Sequence, residues 1–268
     1  MAESQLGPTT SAQSQATPYL SVVIPSYNEL SNLKRGVLPQ VLEYLHQFEK
    51  KFDQTWELIL SDDGSTDGTL ELLNQFAAQD PRIKVLANQH AGKGPTVSKG
   101  MLTAKGKWRL FTDFDQSTPL SEVEKLLAFT PQYDLAIGSR EIAGALRDKE
   151  PFYRHLMGRG FNFFVQALAV RGIEDTQCGF KLMSAQATDE LFPKLYIYSE
   201  RNASQDAFTG AFDVELLFLA RKKGFKTKEV PILWKHYQTD RVNPIKDSWR
   251  MFKDIIKIRL AGLKGKYR

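Results

Sequence analysis

The chain has 268 residues, of which 42% are hydrophobic and 25% are charged, and its formal net charge is +5. This composition is typical of a globular protein, and the length suits one large α/β domain or two small ones. One cysteine excludes an internal disulfide and, together with only four histidines, excludes a zinc finger or a Cys-rich cluster.

Residues 1–18 are rich in Ser, Gln, Thr, Ala and Pro, and Glu3 is their only charged side chain. Such a segment has too little apolar surface to offset the entropy of ordering, so we expect a disordered tail. It has neither the basic start nor the apolar run of a signal peptide. No stretch of the chain approaches the ~18 apolar residues of a membrane span.

From residue 19 onward, short β-branched segments alternate with segments of helical periodicity. The predicted strands cover residues 19–24, 56–60, 83–86, 108–112 and 135–138, with Pro25 ending the first. The predicted helices cover residues 30–50, 66–78, 95–104 and 121–129, with Thr66 or Asp67 as the N-cap of the second. This alternation predicts an α/β fold with a mostly parallel sheet and helices on both faces. Ligands in such folds bind at the carboxyl ends of the strands.

Polar, acidic or Gly-rich residues follow all five predicted strands, in segments 25–29, 61–68, 90–94, 113–117 and 138–140. One such segment alone is more often a solvated turn or a helix cap, but five at one sheet edge indicate a ligand site. Asp113 and Asp115 stand two residues apart where a strand ends, so both carboxylates can approach a divalent cation such as Mg²⁺ or Mn²⁺. The glycines on either side of Lys93 let backbone amides near a helix start meet a phosphate. The Walker spacing and the dinucleotide fingerprint are both absent.

Three of these segments together resemble the signature of family 2 glycosyltransferases, which have the GT-A fold. They are Pro25-Ser-Tyr-Asn-Glu29, Asp62-Asp-Gly-Ser-Thr-Asp67 and Asp113-Phe-Asp115. Later segments are similar to the dolichyl-phosphate glucosyltransferase branch, namely residues 138–140, 175–181, 212–215 and 229–232. The mannosyl branch typically has Ser-Gly-Phe-Arg where this chain has Gln177-Cys-Gly-Phe-Lys181, which favours UDP-glucose over GDP-mannose. The resemblance covers roughly residues 19–260.

The resemblance implies a role for individual residues in binding the nucleotide sugar. Pro25, Tyr27 and Glu29 are expected to hold the base and the ribose, while Ser61 and Asp63 line the base pocket. The further nucleotide-sugar residues that it implies are Lys93, Asp113, Phe114 and Arg241, the last of which closes over the phosphates.

The resemblance also implies a metal site and a second cluster near the sugar and the acceptor. Asp115 ligates the Mg²⁺ or Mn²⁺ that bridges the diphosphate, with Asp113 beside it, and Ser117 stands where the mannosyl branch often has a Gln ligand. The second cluster comprises Asp175, Gln177 and Lys181, with a solvated loop as the alternative. Arg140 is expected beside the diphosphate or the acceptor phosphate, with a surface ion pair as the alternative. Asp213, a further candidate, lies at the start of an apolar helix, where an N-cap is the alternative.

The resemblance implies an inverting transfer of glucose from UDP-glucose to a polyprenyl phosphate, either dolichyl or undecaprenyl, and the charges of the site agree with it. The cation stabilises the departing diphosphate, and an acceptor phosphate that is already anionic needs no strong general base. Two alternatives keep the family, with GDP-mannose as donor or a saccharide hydroxyl as acceptor, for which Asp213 would be the base. Two others are a nucleic-acid binder, which leaves the five strand-end motifs unexplained, and an inactive membrane-associated scaffold, against which Asp113 and Asp115 argue.

The positive charge is concentrated at the end of the chain. Residues 246–268 contain eight basic residues against two acidic ones, a net charge of +6, so the rest of the chain is close to neutral. Apolar residues at helical spacing form one stripe, and basic residues form another: Ile245, Trp249, Phe252, Ile256 and Leu260, beside Lys246, Arg250, Lys253 and Lys257.

This pattern predicts that residues 245–268 form a helix on an anionic membrane surface, following a catalytic domain of residues 19–244. The expected location is cytoplasmic, peripheral on the cytoplasmic face of a membrane, with no nucleic-acid partner. The alternative is a helix packed on the domain with a solvated basic face. The apolar stretch 156–170 fits membrane docking, a buried core or a contact in a homo-oligomer.

Overall fold

The computed structural model describes residues 17–148, 166, 169–199, 210–237 and 244–267. Its strands are β1 (Leu20–Ser26), β2 (Trp56–Asp62), β3 (Ile83–Ala87), β4 (Trp108–Thr112), β5 (Leu135–Ser139), β6 (Leu146–Arg147), β7 (Phe180–Ser184), β8 (Thr227–Pro231) and β9 (Leu233–Trp234). Its α-helices are α1 (Leu30–Lys34), α2 (Val37–Phe52), α3 (Thr69–Ala77), α4 (Lys93–Thr103), α5 (Val123–Leu127), α6 (Ala185–Leu191), α7 (Phe212–Lys223) and α8 (Pro244–Leu263). Short 3₁₀ turns cover Leu120–Glu122 and Phe192–Lys194.

The main sheet has seven strands in the order β3-β2-β1-β4-β7-β5-β8. β7 runs antiparallel to both of its neighbours, while the pairs β1–β2, β1–β4, β2–β3 and β5–β8 are parallel. β2, β4 and β5 are buried at every position, as expected for strands covered on both faces. The predicted mostly parallel sheet is therefore confirmed. A separate two-stranded sheet joins β6 and β9.

Two hydrophobic layers cover the two faces of this sheet. Successive side chains of a strand point to opposite faces, so Val23 packs in one layer and its neighbour Val22 in the other. The first layer includes residues of α4, α7 and α8, and the second includes residues of α2 and α5. Because both layers exclude water from the sheet, polar chemistry is left to the ends of the strands.

Several predicted boundaries differ from the observed ones, and three of the differences have a local reason. β1 continues through Pro25 to Ser26; its pairing with β4 ends at Val23, so beyond that point the strand follows β2 alone. The predicted helix 30–50 is divided at Gly36, whose φ of 79° belongs to the left-handed region. The predicted helix 66–78 begins only at Thr69, after a left-handed glycine at position 68.

Asp67 therefore is not the N-cap of α3, and neither is Thr66. The residue at the N-cap position is Gly68, which has no side chain to bond the helix. The Asp67 carboxylate instead accepts hydrogen bonds from the backbone N–H groups of Thr69 and Leu30, at 3.0 and 3.2 Å. It thus links the start of α3 to the start of α1.

The last helix, α8, has one face in the core and another in solvent. Ile255, Ile258 and Ala261 are buried in the same layer as α7. Trp249 and Leu263 are 59% and 72% exposed, so apolar side chains remain on the outer face.

Three regions singled out in the sequence lie wholly or largely outside the described residues. They are residues 1–16 of the tail, Arg241, and the stretch 156–170 apart from residues 166, 169 and 170. Of that stretch, Val170 is buried in the core layer of α7.

Candidate active site

The polar segments meet at one edge of the sheet because of the strand directions. The carboxyl ends of β1, β2, β4 and β5 lie at this edge, and the antiparallel β7 brings its amino end there. Thr112, the last residue of β4, is paired with Phe180, the first residue of β7. Residues 175–179 therefore lie beside Asp113, although more than sixty residues separate them in sequence.

Asp113 is held between a lysine and a glycine. Nζ of Lys93, the first residue of α4, lies 2.5 Å from Oδ1 of Asp113. On the other side, a Cβ atom at Gly179 would lie 2.5 Å from Cγ of Asp113, so the carboxylate occupies space that only glycine leaves open. Burial opposes the charge on Lys93, but the carboxylates of Asp113, Asp213 and Asp115 raise its pKa. Lys93 is therefore a cation at neutral pH.

Asp115 lies in the tight turn that follows β4. Its Oδ1 accepts a hydrogen bond from the backbone N–H of Ser117 at 2.9 Å, and its carbonyl oxygen accepts one from Nη2 of Arg35 at 2.5 Å. Burial and then repulsion by Asp113 raise the pKa of Asp115. Two carboxylates that repel each other in this way are a suitable donor set for a divalent cation.

The two carboxylates fit Mg²⁺ or Mn²⁺ only if substrate phosphates and water supply the remaining ligands of the ion. Among the described residues, no group of three or more His, Cys, Asp or Glu side chains is positioned to enclose a metal ion. Mg²⁺ is usually held by one or two carboxylates and completes its shell with water and substrate phosphates. Asp113 and Asp115 match that pattern. Ser117, at the position of the mannosyl branch's Gln, supports Asp115 through its backbone.

Lys181 and Asp213 form a buried ion pair behind this turn. Nζ of Lys181, on β7, lies 2.5 Å from Oδ1 of Asp213, and it also donates to the carbonyl oxygen of Cys178. The two side chains are 0% and 8% exposed. Asp213 lies in the first turn of α7, but the N-cap position belongs to Ala211, so the N-cap alternative is wrong.

Arg140 and Asp175 form a second pair with two side-chain hydrogen bonds. Nε and Nη2 of Arg140 donate to the two carboxylate oxygens of Asp175 at 2.7 and 2.8 Å. Although burial favours the protonated acid, the Arg140 guanidinium lowers the pKa of Asp175. Glu229 accepts the backbone N–H of Asp175 at 2.8 Å and so fixes the loop that carries it.

A recess lies between Arg140 and Asp113, and we call it the central recess. Its walls include Asp113, Arg140, Cys178, Gly179 and Trp234. Trp234 was not among the predicted site residues, since nothing in the strand–helix alternation distinguishes it. The Arg140 guanidinium carbon lies 5.7 Å from the centre of its ring, within the range of a cation–π contact. Gln177 is directed elsewhere, because its Nε2 donates to Sδ of Met251 on α8 at 3.6 Å.

Asp63 organises the loop between β3 and α4. Its Oδ1 accepts from the backbone N–H of Ala91 and from Oγ1 of Thr96, both at 2.8 Å. Its Oδ2 accepts from the backbone N–H of Gly92 at 3.0 Å and lies 2.9 Å from Nδ1 of His90. Of the amides that the sequence offered to a phosphate, the one of Gly92 is therefore already bonded to Asp63.

The remaining predicted nucleotide residues are divided between the site edge and the core. Tyr27 stacks on His90 with ring centres 4.3 Å apart, forming an aromatic platform whose second ring sequence reasoning did not single out. Ser61 is buried and donates to the carbonyl oxygen of Thr96 at 2.9 Å. The Glu29 carboxylate accepts a hydrogen bond from Nδ2 of Asn32 at 2.5 Å. Pro25 pairs with Ser61 between β1 and β2. Phe114 is buried in the core layer of α2.

Comparison with known proteins identifies the family. A model of glycosyl transferase family 2 matches residues 21–192. The chain is 37% identical to the dolichyl-phosphate beta-glucosyltransferase of Dictyostelium discoideum, covering 92% of this chain and 76% of that protein. It is 34% identical to the enzyme of the same name from Saccharomyces cerevisiae, covering 93% and 77%.

Solved structures show the fold. Mannosyl-3-phosphoglycerate synthase from Rubrobacter xylanophilus superposes with a TM-score of 0.61 at 13% identity, covering 93% of this chain and 76% of that one. Glucosyl-3-phosphoglycerate synthase from Mycobacterium tuberculosis, in complex with Mn²⁺, UDP-glucose and phosphoglyceric acid, gives 0.59 at 17% identity, covering 93% and 81%. The predicted GT-A fold is thus confirmed, and the chain belongs to glycosyl transferase family 2.

Proposed function

We propose that this enzyme transfers glucose from UDP-glucose to a polyprenyl phosphate, with inversion at the anomeric carbon. The observation that carries the proposal is the site itself: Asp113 lines the central recess with Arg140 and is paired with Lys93, and Asp115 lies two residues further along the same turn. Similarity to dolichyl-phosphate beta-glucosyltransferases supports dolichyl phosphate as the acceptor.

The charge of the reaction accounts for this mixture of acidic and basic groups. Asp113 and Asp115 would hold Mg²⁺ or Mn²⁺, which stabilises the diphosphate as the bond to the sugar breaks. Lys93 and Arg140 add positive charge beside the same groups, and preorganised charge of this kind stabilises a departing anion. The Mn²⁺ and UDP-glucose in the fold neighbour support a nucleotide sugar with a divalent cation.

The acceptor phosphate needs no base, whereas a sugar hydroxyl does. A phosphate oxygen is already anionic at neutral pH, so the protein has only to bring it to the anomeric carbon. Asp213, the base that a hydroxyl acceptor would require, is buried and paired with Lys181. This pairing favours the phosphate over the saccharide acceptor.

A transfer assay tests the proposal. The full chain is supplied with dolichyl phosphate, MgCl₂ or MnCl₂, and UDP-glucose, GDP-mannose or UDP-N-acetylglucosamine in turn. We expect a β-linked glucosyl lipid from UDP-glucose only, and loss of transfer in Asp115→Asn. Asp53→Asn is the matched control, because Asp53 is an exposed left-handed residue at the end of α2 where asparagine fits equally well. Transfer from GDP-mannose alone, or full activity of Asp115→Asn, would contradict the proposal.

We also propose that α8 places the enzyme on the cytoplasmic face of a membrane, where a lipid phosphate is accessible. None of the helices that the structure describes has the length and apolar content of a membrane span. On the outer face of α8, Leu260 and Leu263 are 48% and 72% exposed, and exposed basic side chains flank them: Lys253, Lys257, Arg259 and Lys264. Each basic side chain near an anionic surface contributes about 1 kcal/mol.

Vesicle co-sedimentation tests this placement. We expect the full chain to bind phosphatidylserine-containing vesicles and to be released by high salt, because salt screens the attraction between the basic side chains and the anionic lipid. Leu260→Glu/Leu263→Glu should lose binding. Phe52→Glu is the control, because Phe52 is also an exposed apolar residue but ends α2, on the opposite face of the sheet. Unchanged binding by the double variant would refute docking through α8.

A further inference from the structure

We propose that Lys93 is an internal counter-cation that holds Asp113 in the free protein and moves to the donor diphosphate when a divalent cation binds. This inference rests on the proposed nucleotide-sugar and metal site, and it concerns how binding of the two ligands is coupled. Lys93 would thereby make the site favour the metal–nucleotide pair over either ligand alone.

The two lysines of the site are held in different ways. Lys181 and Asp213 are 0% and 8% exposed, and the same ammonium group is also bonded to the carbonyl oxygen of Cys178. Lys93 and Asp113 are 20% and 41% exposed, and Asp113 lines the central recess. Separating a buried pair leaves an uncompensated charge, whereas a partly exposed pair contributes little and is easily exchanged. Lys93 is therefore the lysine that is able to change partners.

The Lys93 side chain is also a group at the start of α4 that can bind a phosphate. The backbone N–H groups of Ala91 and Gly92 are bonded to the two oxygens of Asp63 at 2.8 and 3.0 Å. Since these two amides are committed to Asp63, the ammonium of Lys93 supplies the positive charge that attracts an anion to this end of α4. Its flexible stem allows the ammonium to swing between a carboxylate and a phosphate.

The charges around Lys93 make the exchange depend on both ligands. A divalent cation arriving alone has to displace the ammonium from Asp113, which lies 2.5 Å away. A diphosphate arriving alone meets the carboxylates of Asp113 and Asp115. When both arrive, the cation neutralises the carboxylates and the freed ammonium neutralises the phosphate. Each ligand therefore removes the obstacle to the other, which is positive coupling.

Binding measurements on the full chain without acceptor test this. Mn²⁺ binding is followed by electron paramagnetic resonance and UDP binding by calorimetry, each with and without the other ligand. Lys93→Met is expected to bind Mn²⁺ alone about tenfold more tightly than the wild type and UDP with Mn²⁺ about tenfold more weakly. Lys99→Met, which removes another lysine of the same helix, should leave both affinities unchanged.

Opposite shifts from one substitution distinguish the exchange from a simple loss of a phosphate contact. Lys93→Gln keeps a polar side chain and should show the same pair of shifts if Lys93→Met fails to fold. Mn²⁺ affinity that stays the same or falls in a folded Lys93 variant would overturn the inference while leaving the proposed metal site intact. Failure of the wild type to bind Mn²⁺ even with saturating UDP would overturn both.

Discussion

Replacing Gly179 with alanine tests how finely Asp113 has to be placed. The added methyl group would lie 2.5 Å from Cγ of Asp113 and closer still to its Oδ2, whereas ordinary contacts of a Cβ atom begin at 3.4 Å, so the carboxylate has to retreat by at least about 0.9 Å. The backbone at Gly179 is not left-handed, and the obstacle is the end of a partly exposed side chain. Alanine therefore displaces Asp113 without straining the fold.

A displacement of this size near reacting groups reduces turnover by about 100-fold, which corresponds to about 2.7 kcal/mol in activation free energy. We expect that loss in the glucosyl transfer assay, together with weaker Mn²⁺ binding in the presence of UDP. The free energy of unfolding, measured by urea titration, should change by no more than about 0.5 kcal/mol.

Gly36→Ala provides the opposite control. Gly36 is left-handed, with φ of 79°, and no atom lies within 4 Å of the position of a Cβ. Alanine there should lower the free energy of unfolding by about 1–2 kcal/mol and leave the transfer rate unchanged. A stable Gly179→Ala enzyme with a rate close to that of the wild type would refute the reasoning, because it would show that the position of Asp113 does not limit transfer.

Two further predictions concern buried charge and acid stability. Lys181→Met should lower the free energy of unfolding by about 3–5 kcal/mol in urea titrations, because it leaves the buried carboxylate of Asp213 unpaired. The double variant Lys181→Met/Asp213→Leu should recover part of that loss. A double variant less stable than Lys181→Met would contradict this account. The pKa of Glu57 lies below its ordinary value of 4.5, because bonds from Lys84, Lys105 and Ser21 outweigh burial. A lowered pKa stabilises the fold above the unfolded value and ceases to do so as the pH falls through the folded value. Thermal melts should therefore show Glu57→Gln less stable than the wild type at pH 7, with the difference closing below pH 4.5; a gap that widens in acid would contradict the assignment.

The first five strands were predictable because each is a short apolar run ended by polar residues. The predicted strand 108–112 coincides with β4, and the others differ from the observed strands by one or two residues at an end. β7 was not predicted, because a charged residue, Lys181, lies inside this short buried strand. The buried ammonium is stabilised by Asp213 of α7, which lies 32 residues further along the chain. A pair separated by that distance produces no local sequence pattern.

The site residues were recognisable as motifs, but their partners were not. Nothing in the sequence shows that Asp63 bonds the loop at Ala91, or that Lys93 reaches Asp113. Gly179 was visible only as one letter of a motif, although its missing side chain provides the space for Asp113. The approach of Gly179 to Asp113 depends on the β4–β7 pairing, which brings together distant parts of the chain.

The place of β7 in the sheet also determines which strand edges stay unpaired while the chain is being synthesised. β5 has two neighbours, β7 and β8, and both follow it in sequence. A nascent chain that stops before Phe180 therefore carries β5 with both edges bare, and β4 with one. Bare strand edges recruit other strands, so the unfinished chain is prone to aggregate. The strand that brings Cys178 and Gly179 to the central recess is therefore also the one that covers the bare edges of β4 and β5 in the newly made protein.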